Sequence, residues 1–297
     1  MKFSKDSIRN RSLWLFLAFL LLFSTQLQAA EVIAGAAPAA SNEVDEKQAL
    51  AEAAQNPVAD MISMPFQDNM GFSYGPHDYG KGDRVQNILN FQPVVPIHLN
   101  ENWNLITRTI LPIVEQPLPG SKNAQKWGIG DVNETLFLSP SKPKHFIWGI
   151  GPILGFPTAT DSEILGTQKW TVGPSIVLLK IKGPWVAGGV ASQQWSYAGA
   201  SNRKSVNSML VQPFLNYNFK TGTYLTYAPI MTANWANHNP GQCWTLPVGG
   251  GVGQIVKLGK IPVNLSIQGY YNVLHPNAAA DWVLRTQMVF LFPSKKK

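Results

Sequence analysis

From Met61 onward the chain alternates with a period of two. Val263, Leu265, Ile267, Gly269 and Tyr271 interleave with Asn264, Ser266, Gln268, Tyr270 and Asn272. An extended strand there has one apolar face and one hydrogen-bonding face. The last segment does the same, with Trp282, Leu284, Thr286, Met288, Phe290 and Phe292 against Val283, Arg285, Gln287, Val289 and Leu291. Leu89, Phe91, Val95 and Ile97 alternate with Gln86, Asn90, Gln92 and His98, and Met209, Val211, Leu215, Tyr217 and Phe219 with Ser208, Gln212, Asn216 and Asn218.

About twelve such segments follow one another, centred near Phe66, Phe91, Thr109, Leu136, Ile150, Ile176, Val190, Val211, Pro229, Gly250, Ser266 and Gln287. Their connections alternate in length. Those near Asn100, Ser141, Gly183, Thr221 and Gly259 are tight, while those near Asp78, Ser121, Asp161, Ser201, Asn237 and Asn277 are longer and polar. An even strand number, with short turns at one end and long loops at the other, predicts an all-β chain. Its expected form is a transmembrane antiparallel up-and-down β-barrel of about twelve strands, with both termini in the periplasm.

Tryptophan supports the same reading. Trp103 and Trp185 start strands on the short-turn side, with Trp148 nearby; Trp127, Trp170, Trp195, Trp235, Trp244 and Trp282 fall where strands meet the long loops. Two aromatic girdles at membrane interfaces give this distribution, whereas a secreted sandwich core would draw tryptophan to strand centres. Proline is the objection. Pro93, Pro96, Pro112, Pro152, Pro174, Pro213, Pro229 and Pro247 fall inside predicted strands, where each removes a ladder donor, so bulges or kinks are expected. Such kinks would offer hydrophobic cargo a lateral route.

Composition adds the address. Only 14% of the 297 residues are charged, against roughly 25% in soluble domains, as expected where one strand face meets lipid. Lys2, Lys5, Arg9 and Arg11 precede an apolar run from Leu13 to Phe23, followed by Ser24, polar residues and the small pair Ala29 and Ala30. That order is a secretory signal peptide over 1–30, too short in its apolar part for a spanning helix. Its removal lowers the formal charge from +7 to +4. Residues 31–59 are expected to form an N-terminal periplasmic segment with a short, weakly docking helix over Glu43–Asn56, the segment either hanging in the periplasm or entering the lumen. The barrel is expected over 60–293, and a basic tail over 294–297.

Several runs are familiar together: Asn56–Phe66, Trp103–Arg108, Gly128–Asp131, Phe156–Thr160, Gln212–Asn218 and Gly249–Gly253. They resemble a family of bacterial outer-membrane barrel proteins labelled transporters, or, misleadingly, neuromedin U. That family is similar in turn to the barrels of the phenol-degradation MetA-pathway group. The resemblance covers roughly Asn56 to Pro293. It implies an outer-membrane location in a Gram-negative bacterium and passage of small compounds, hydrophobic or aromatic ones among them. It carries no catalytic residue pattern.

If the apolar faces meet lipid, Arg108, Arg285, Gln212, Asn216, Asn264, Gln268 and Gln287 line the lumen. A twelve-stranded barrel lies between filled and open-channel sizes, so the pore is narrow or partly occluded. There the arginines set an anion preference or pair with inward acids such as Asp131. Lysines at the tight turns (Lys142, Lys144, Lys180, Lys182, Lys220, Lys257, Lys260) and in the tail suit solvation or anionic headgroups. Their scatter over turns, without stacking aromatics, argues against nucleic acid.

Gly71-Phe72-Ser73-Tyr74-Gly75 matches a nucleophile elbow but lacks the following helix. The glycines at 249, 250, 251 and 253 lead into a strand, and read better as room for close approach than as a phosphate loop. His77, His98, His145, His238 and His275 share no metal-ligand spacing, and Cys243 reads as a free thiol at a loop edge. No cofactor or metal is called for. The expected function is passive passage of small solutes, the partners being outer-membrane lipid and the solute, with the oligomeric state left open. The alternatives are a lipid-modifying enzyme, resting on Ser73 and His98, and a structural barrel. The chain is expected to fractionate with membranes and to change gel mobility on heating in detergent; recovery as soluble, heat-insensitive material would refute the barrel.

Overall fold

The computed structural model describes residues 48–75, 84–118, 124–143, 145–237, 239–259 and 261–293. The expected signal peptide and basic tail lie outside them, as do His77, His238, Lys144 and Lys260. Helix α1 spans 48–54; the earlier residues of the expected helix also lie outside.

The sheet begins with β1 (Met61–Phe72), β2 (Val85–Phe91), β3 (Val94–His98), β4 (Trp103–Pro117), β5 (Gln125–Ile129), β6 (Val132–Pro140) and β7 (Ile147–Phe156). It continues through β8 (Lys169–Lys182), β9 (Trp185–Gly199), β10 (Asn207–Asn218), β11 (Thr223–Tyr227), β12 (Met231–Asn234), β13 (Trp244–Leu258), β14 (Ile261–Leu274) and β15 (Trp282–Pro293). All pairings are antiparallel and, once the interrupted strands are joined, run between sequence neighbours, while β15 closes on β1 in register from Met61↔Pro293 to Phe72↔Trp282. The fifteen segments make a closed barrel of twelve strands, because β2–β3, β5–β6 and β11–β12 are each one strand interrupted part-way. Closure removes the edges that an open sheet would leave unpaired.

The interruptions fall at Gln92-Pro93, Gly130-Asp131 and Ala228-Pro229-Ile230. Thus Pro93 and Pro229 break their strands and Pro247 sits at a register shift, as proline in a ladder requires. The other in-strand prolines depart from the expected kinks. Pro96, Pro112, Pro152, Pro174 and Pro213 keep their register, and Pro152 lies directly opposite Pro174. Each forfeits one donor while the neighbouring ladder holds it in place.

Tight turns join β8 to β9 through Gly183, in the left-handed region at φ 55°, and β3 to β4 through Asn100, whose Oδ1 accepts from the Asn102 and Trp103 amides. Both ends of the described barrel, Met61 and Pro293, lie at this turn end. The predicted tryptophans point outward in two rows. At the turn end Trp103 meets Trp148 edge to face, and Trp185 meets Tyr217. At the loop end Trp170 packs on Phe156, Trp235 on Trp244, and Trp282 stacks on Phe72, while Trp127 and Trp195 are exposed.

The inner face departs from the simple polar-in rule. On β8 and β9 its turn-end half is apolar: Val177, Leu179, Val186 and Val190 are buried in one cluster, joined by Ile106 of β4 and Phe137 of β6, whose inward neighbours Asn104, Thr135 and Ser139 are polar. Val58, from the segment after α1, completes that cluster. Inward valines and leucines serve here because they pack against chain instead of water.

One glycine is needed for a luminal side chain. A Cβ on Gly253 would overlap the Tyr224 ring, whose hydroxyl donates to Asn264 Oδ1 at 2.8 Å. Gly269 has open space where a Cβ would stand. Gly253→Val is therefore expected to cost about 1–3 kcal/mol by overpacking and Gly269→Val to cost little, a contrast read from urea unfolding midpoints of the two variants.

Candidate functional site

The site is the lumen. A cavity of about 160 Å³ runs beside the N-terminal segment, and Arg108, Gln212, Asn216, Asn264, Gln268, Arg285 and Gln287 all line it. The alternation rule brings them together from β4, β10, β14 and β15, because in a closed barrel the inward positions of distant strands face one space. Gln67, Gln92, Tyr224 and Thr226 join them.

The same lining includes Ala53, Ala54, Gln55, Asn56, Pro57 and Ala59, so the N-terminal segment 48–59 contributes to the lumen. Ala51 is 1% and Val58 6% exposed. The Gln55 and Asn218 carboxamides exchange two hydrogen bonds, at 2.8 and 3.2 Å. Of the two placements open to this segment, the structure shows entry into the barrel, and the docking is not weak. The alanine face that looked featureless in sequence is what lets a helix fit a narrow tube.

Each arginine is tied to a strand interruption. Arg108 Nη2 donates to Gln92 Oε1 at 2.7 Å, beside Pro93. Arg285 Nη1 donates to the Ala228 carbonyl at 2.8 Å and its Nε to Asn69 Oδ1 at 2.9 Å. The Ala228 amide donates to the Tyr270 hydroxyl, which donates to Gln268 Oε1, and Arg285 lies over the Tyr270 ring. Luminal side chains thus take the backbone groups that the Pro229 break removes from the ladder.

Asp131 is not paired with either arginine. Its carboxylate accepts from the amides of Ala159 and Thr167 and from the Thr167 hydroxyl. Thr158 and Thr160 bond the backbone of Ile129, Gly130 and Val132. The third interruption is therefore closed by the loop 157–168. Lys126 pairs with Asp161 at 2.6 Å and, mainly through that hydrogen bond, holds the Asp161 carboxyl below its ordinary pKa. Sequence reading missed this role for Asp131, which only the return of the loop creates.

Three other acids face outward by register: Glu115 near the loop end, and Asp68 and Glu134 nearer mid-strand. Asp68 accepts from Asn87 and Glu134 from Thr109. Their strand parity was readable in the sequence.

The enzymatic alternative finds no converging groups among the described residues. Ser73 follows β1 at the loop end with φ 54°, and the next described element is the strand β2, not a helix. His98 lies at the opposite end, 3.3 Å from Asp60 and 3.0 Å from Asn104. His275 pairs with Asp281, and His145 lies in a groove on the outer surface. Cys243 is buried just before β13, its Sγ 3.2 Å from the Asn234 carbonyl. The glycines of β13 admit Tyr224 and form no anion cradle.

No protein-family model and no curated protein matches the chain. Solved structures do. The COG4313 outer membrane channel from Pseudomonas putida F1 is 15% identical with a TM-score of 0.59, over 78% of this chain and 95% of that one. The beta domain of the Bordetella autotransporter BrkA is 12% identical with a TM-score of 0.42, over 77% and 99%. Outer membrane phospholipase A from Escherichia coli is 10% identical with a TM-score of 0.40, over 78% and 95%. At these identities the likeness is one of fold: an outer-membrane type of β-barrel.

Asp131→Ala is expected to free the loop 157–168 without opening the barrel. Glutamyl endopeptidase should then cut after Glu163 several-fold faster than in the parent chain, while heat-modified gel mobility stays the same.

Proposed function

We propose that this barrel sits in the outer membrane of a Gram-negative bacterium and passes small solutes through its lumen. The observation that carries the reading is the nature of the obstruction. The turn-end half of the lumen is occupied by one short segment of chain, 48–59, while a polar chamber lies beside it. Wall side chains filling a barrel leave no path, whereas a segment threaded from one end can move or be skirted by a narrow stream of solute. The two outward rows of tryptophan suit the membrane interfaces.

Hydrophobic or aromatic compounds fit the mixed lining, since apolar Val190, Phe214, Val289 and Leu291 share the cavity with the amides. The interruptions at Pro93 and Pro229 are the places where a lateral route would open, and both are now held from inside by arginine contacts.

Reconstitution in planar bilayers tests the reading. The parent chain is expected to give small conductance steps, and deletion of residues 48–58 to enlarge them several-fold at unchanged barrel integrity. Silence from both proteins, or equal conductance, would overturn it.

A further inference from the structure

We infer that the luminal chamber binds small amphiphilic carboxylates, the carboxylate on a luminal guanidinium and a compact apolar body against the valine, leucine and phenylalanine wall. This rests on the reading of the lumen as a solute path and names the class of solute.

Arg285 is 4% exposed, and Arg108, partly buried, lines the same chamber. Among the described residues, the acceptors bonded to them are Gln92 Oε1, Asn69 Oδ1 and the Ala228 carbonyl, all neutral. No carboxylate among the described residues lines the chamber. The nearby acids are used elsewhere: Glu52, outside the chamber lining, accepts from Gln48 along α1, Asp131 is held by its loop, and Asp68, Glu115 and Glu134 lie on the outer face. A guanidinium has five N–H donors, so each arginine keeps donors over, and an enclosed charge without a counter-charge is costly. A bound carboxylate supplies the missing counter-charge.

Geometry sets the size and number of stations. Arg285 projects from the same face as its register partner Gln268, and on β1 it lies level with Asn69. Arg108 pairs with Val94, which pairs with Ser63 on β1. Six residues of strand separate the two register levels, so the two guanidiniums enter the chamber at different heights, each able to meet one anion. A cavity of roughly 150 Å³ with apolar walls accepts a benzene ring, so a chamber of about 160 Å³ accommodates a ring carrying one carboxylate. Arginine binds that group through two parallel hydrogen bonds.

The experiment uses the full chain in planar bilayers under a potassium chloride gradient, with benzoate and benzamide as probes of matched shape and different charge. Expected are a reversal potential on the anion side and a reversible reduction of current by benzoate but not benzamide. Arg285→Gln should raise the half-blocking benzoate concentration about tenfold, the scale of a charge-assisted pair, and Arg285→Lys, which keeps the charge without the two-donor fork, should raise it by less. Arg108→Gln with Arg285→Gln should bring anion and cation permeability close to parity. Equal action of the two probes, or anion preference surviving the double substitution, would overturn the inference while leaving a channel. If the parent chain shows no conductance, the channel reading fails, and equilibrium dialysis of benzoate against the detergent-solubilised protein still decides this one: binding lost in Arg285→Gln supports it, and no binding refutes it. Heat-modified gel mobility checks that each variant is folded.

Discussion

Everything in this structure follows from the rule that a closed sheet must pair its own backbone wherever apolar surroundings shut out water. Water is absent there to accept an unused N–H or C=O, and an unsatisfied group costs several kcal/mol. Closure of β15 on β1 meets the demand for the wall as a whole. The three interruptions then reopen it locally, and each is met from within the protein. Arg285 and Tyr270 take both backbone groups of Ala228. Around Pro93 the ladder is resumed by the Gln92 amide on Pro65 and the Thr109 amide on the Pro93 carbonyl. At Gly130 the repair comes from threonines of a returning loop.

That repair decides what the lumen contains. Polar side chains are present where they answer the wall or the solute, and absent where the N-terminal segment supplies packing. Hence the inner face changes character part-way down several strands, from Thr171 and Ser175 to Val177 and Leu179 on β8. Val58 and the apolar half are mutually dependent: neither would be buried without the other.

Much of the architecture was legible because alternation, loop length and tryptophan position are independent signals that agree. Twelve segment centres sufficed even though Pro229, taken as one centre, falls in a break. What was not legible has physical reasons. Where both faces of a strand are apolar, as around Val177–Leu179 and Val186–Val190, period two loses its contrast and says nothing about what fills the inside. Proline reports a lost donor but not whether neighbours hold the strand, so Pro93 and Pro174 look alike in sequence and differ in the fold. The ties of Gln55 to Asn218 and of Asp131 to Thr167 join residues far apart in the chain, and no local pattern encodes them. The luminal residues could be named by parity alone, since facing inward is a property of register; their hydrogen-bond partners could not.

The structural and solute-binding roles of Arg285 reinforce each other. A free arginine has many rotamers, and fixing it on binding costs entropy. Here the bonds from Nε to Asn69 and from Nη1 to Ala228, with the Tyr270 ring against the guanidinium, fix its plane before any solute arrives. Two donors maintain the wall and the rest remain available, so the break at Pro229 that made a staple necessary also leaves a preorganised cation in the lumen. A strand without that break would have no carbonyl to hold the guanidinium in place, and the same arginine would bind an anion more weakly by the entropy of ordering it.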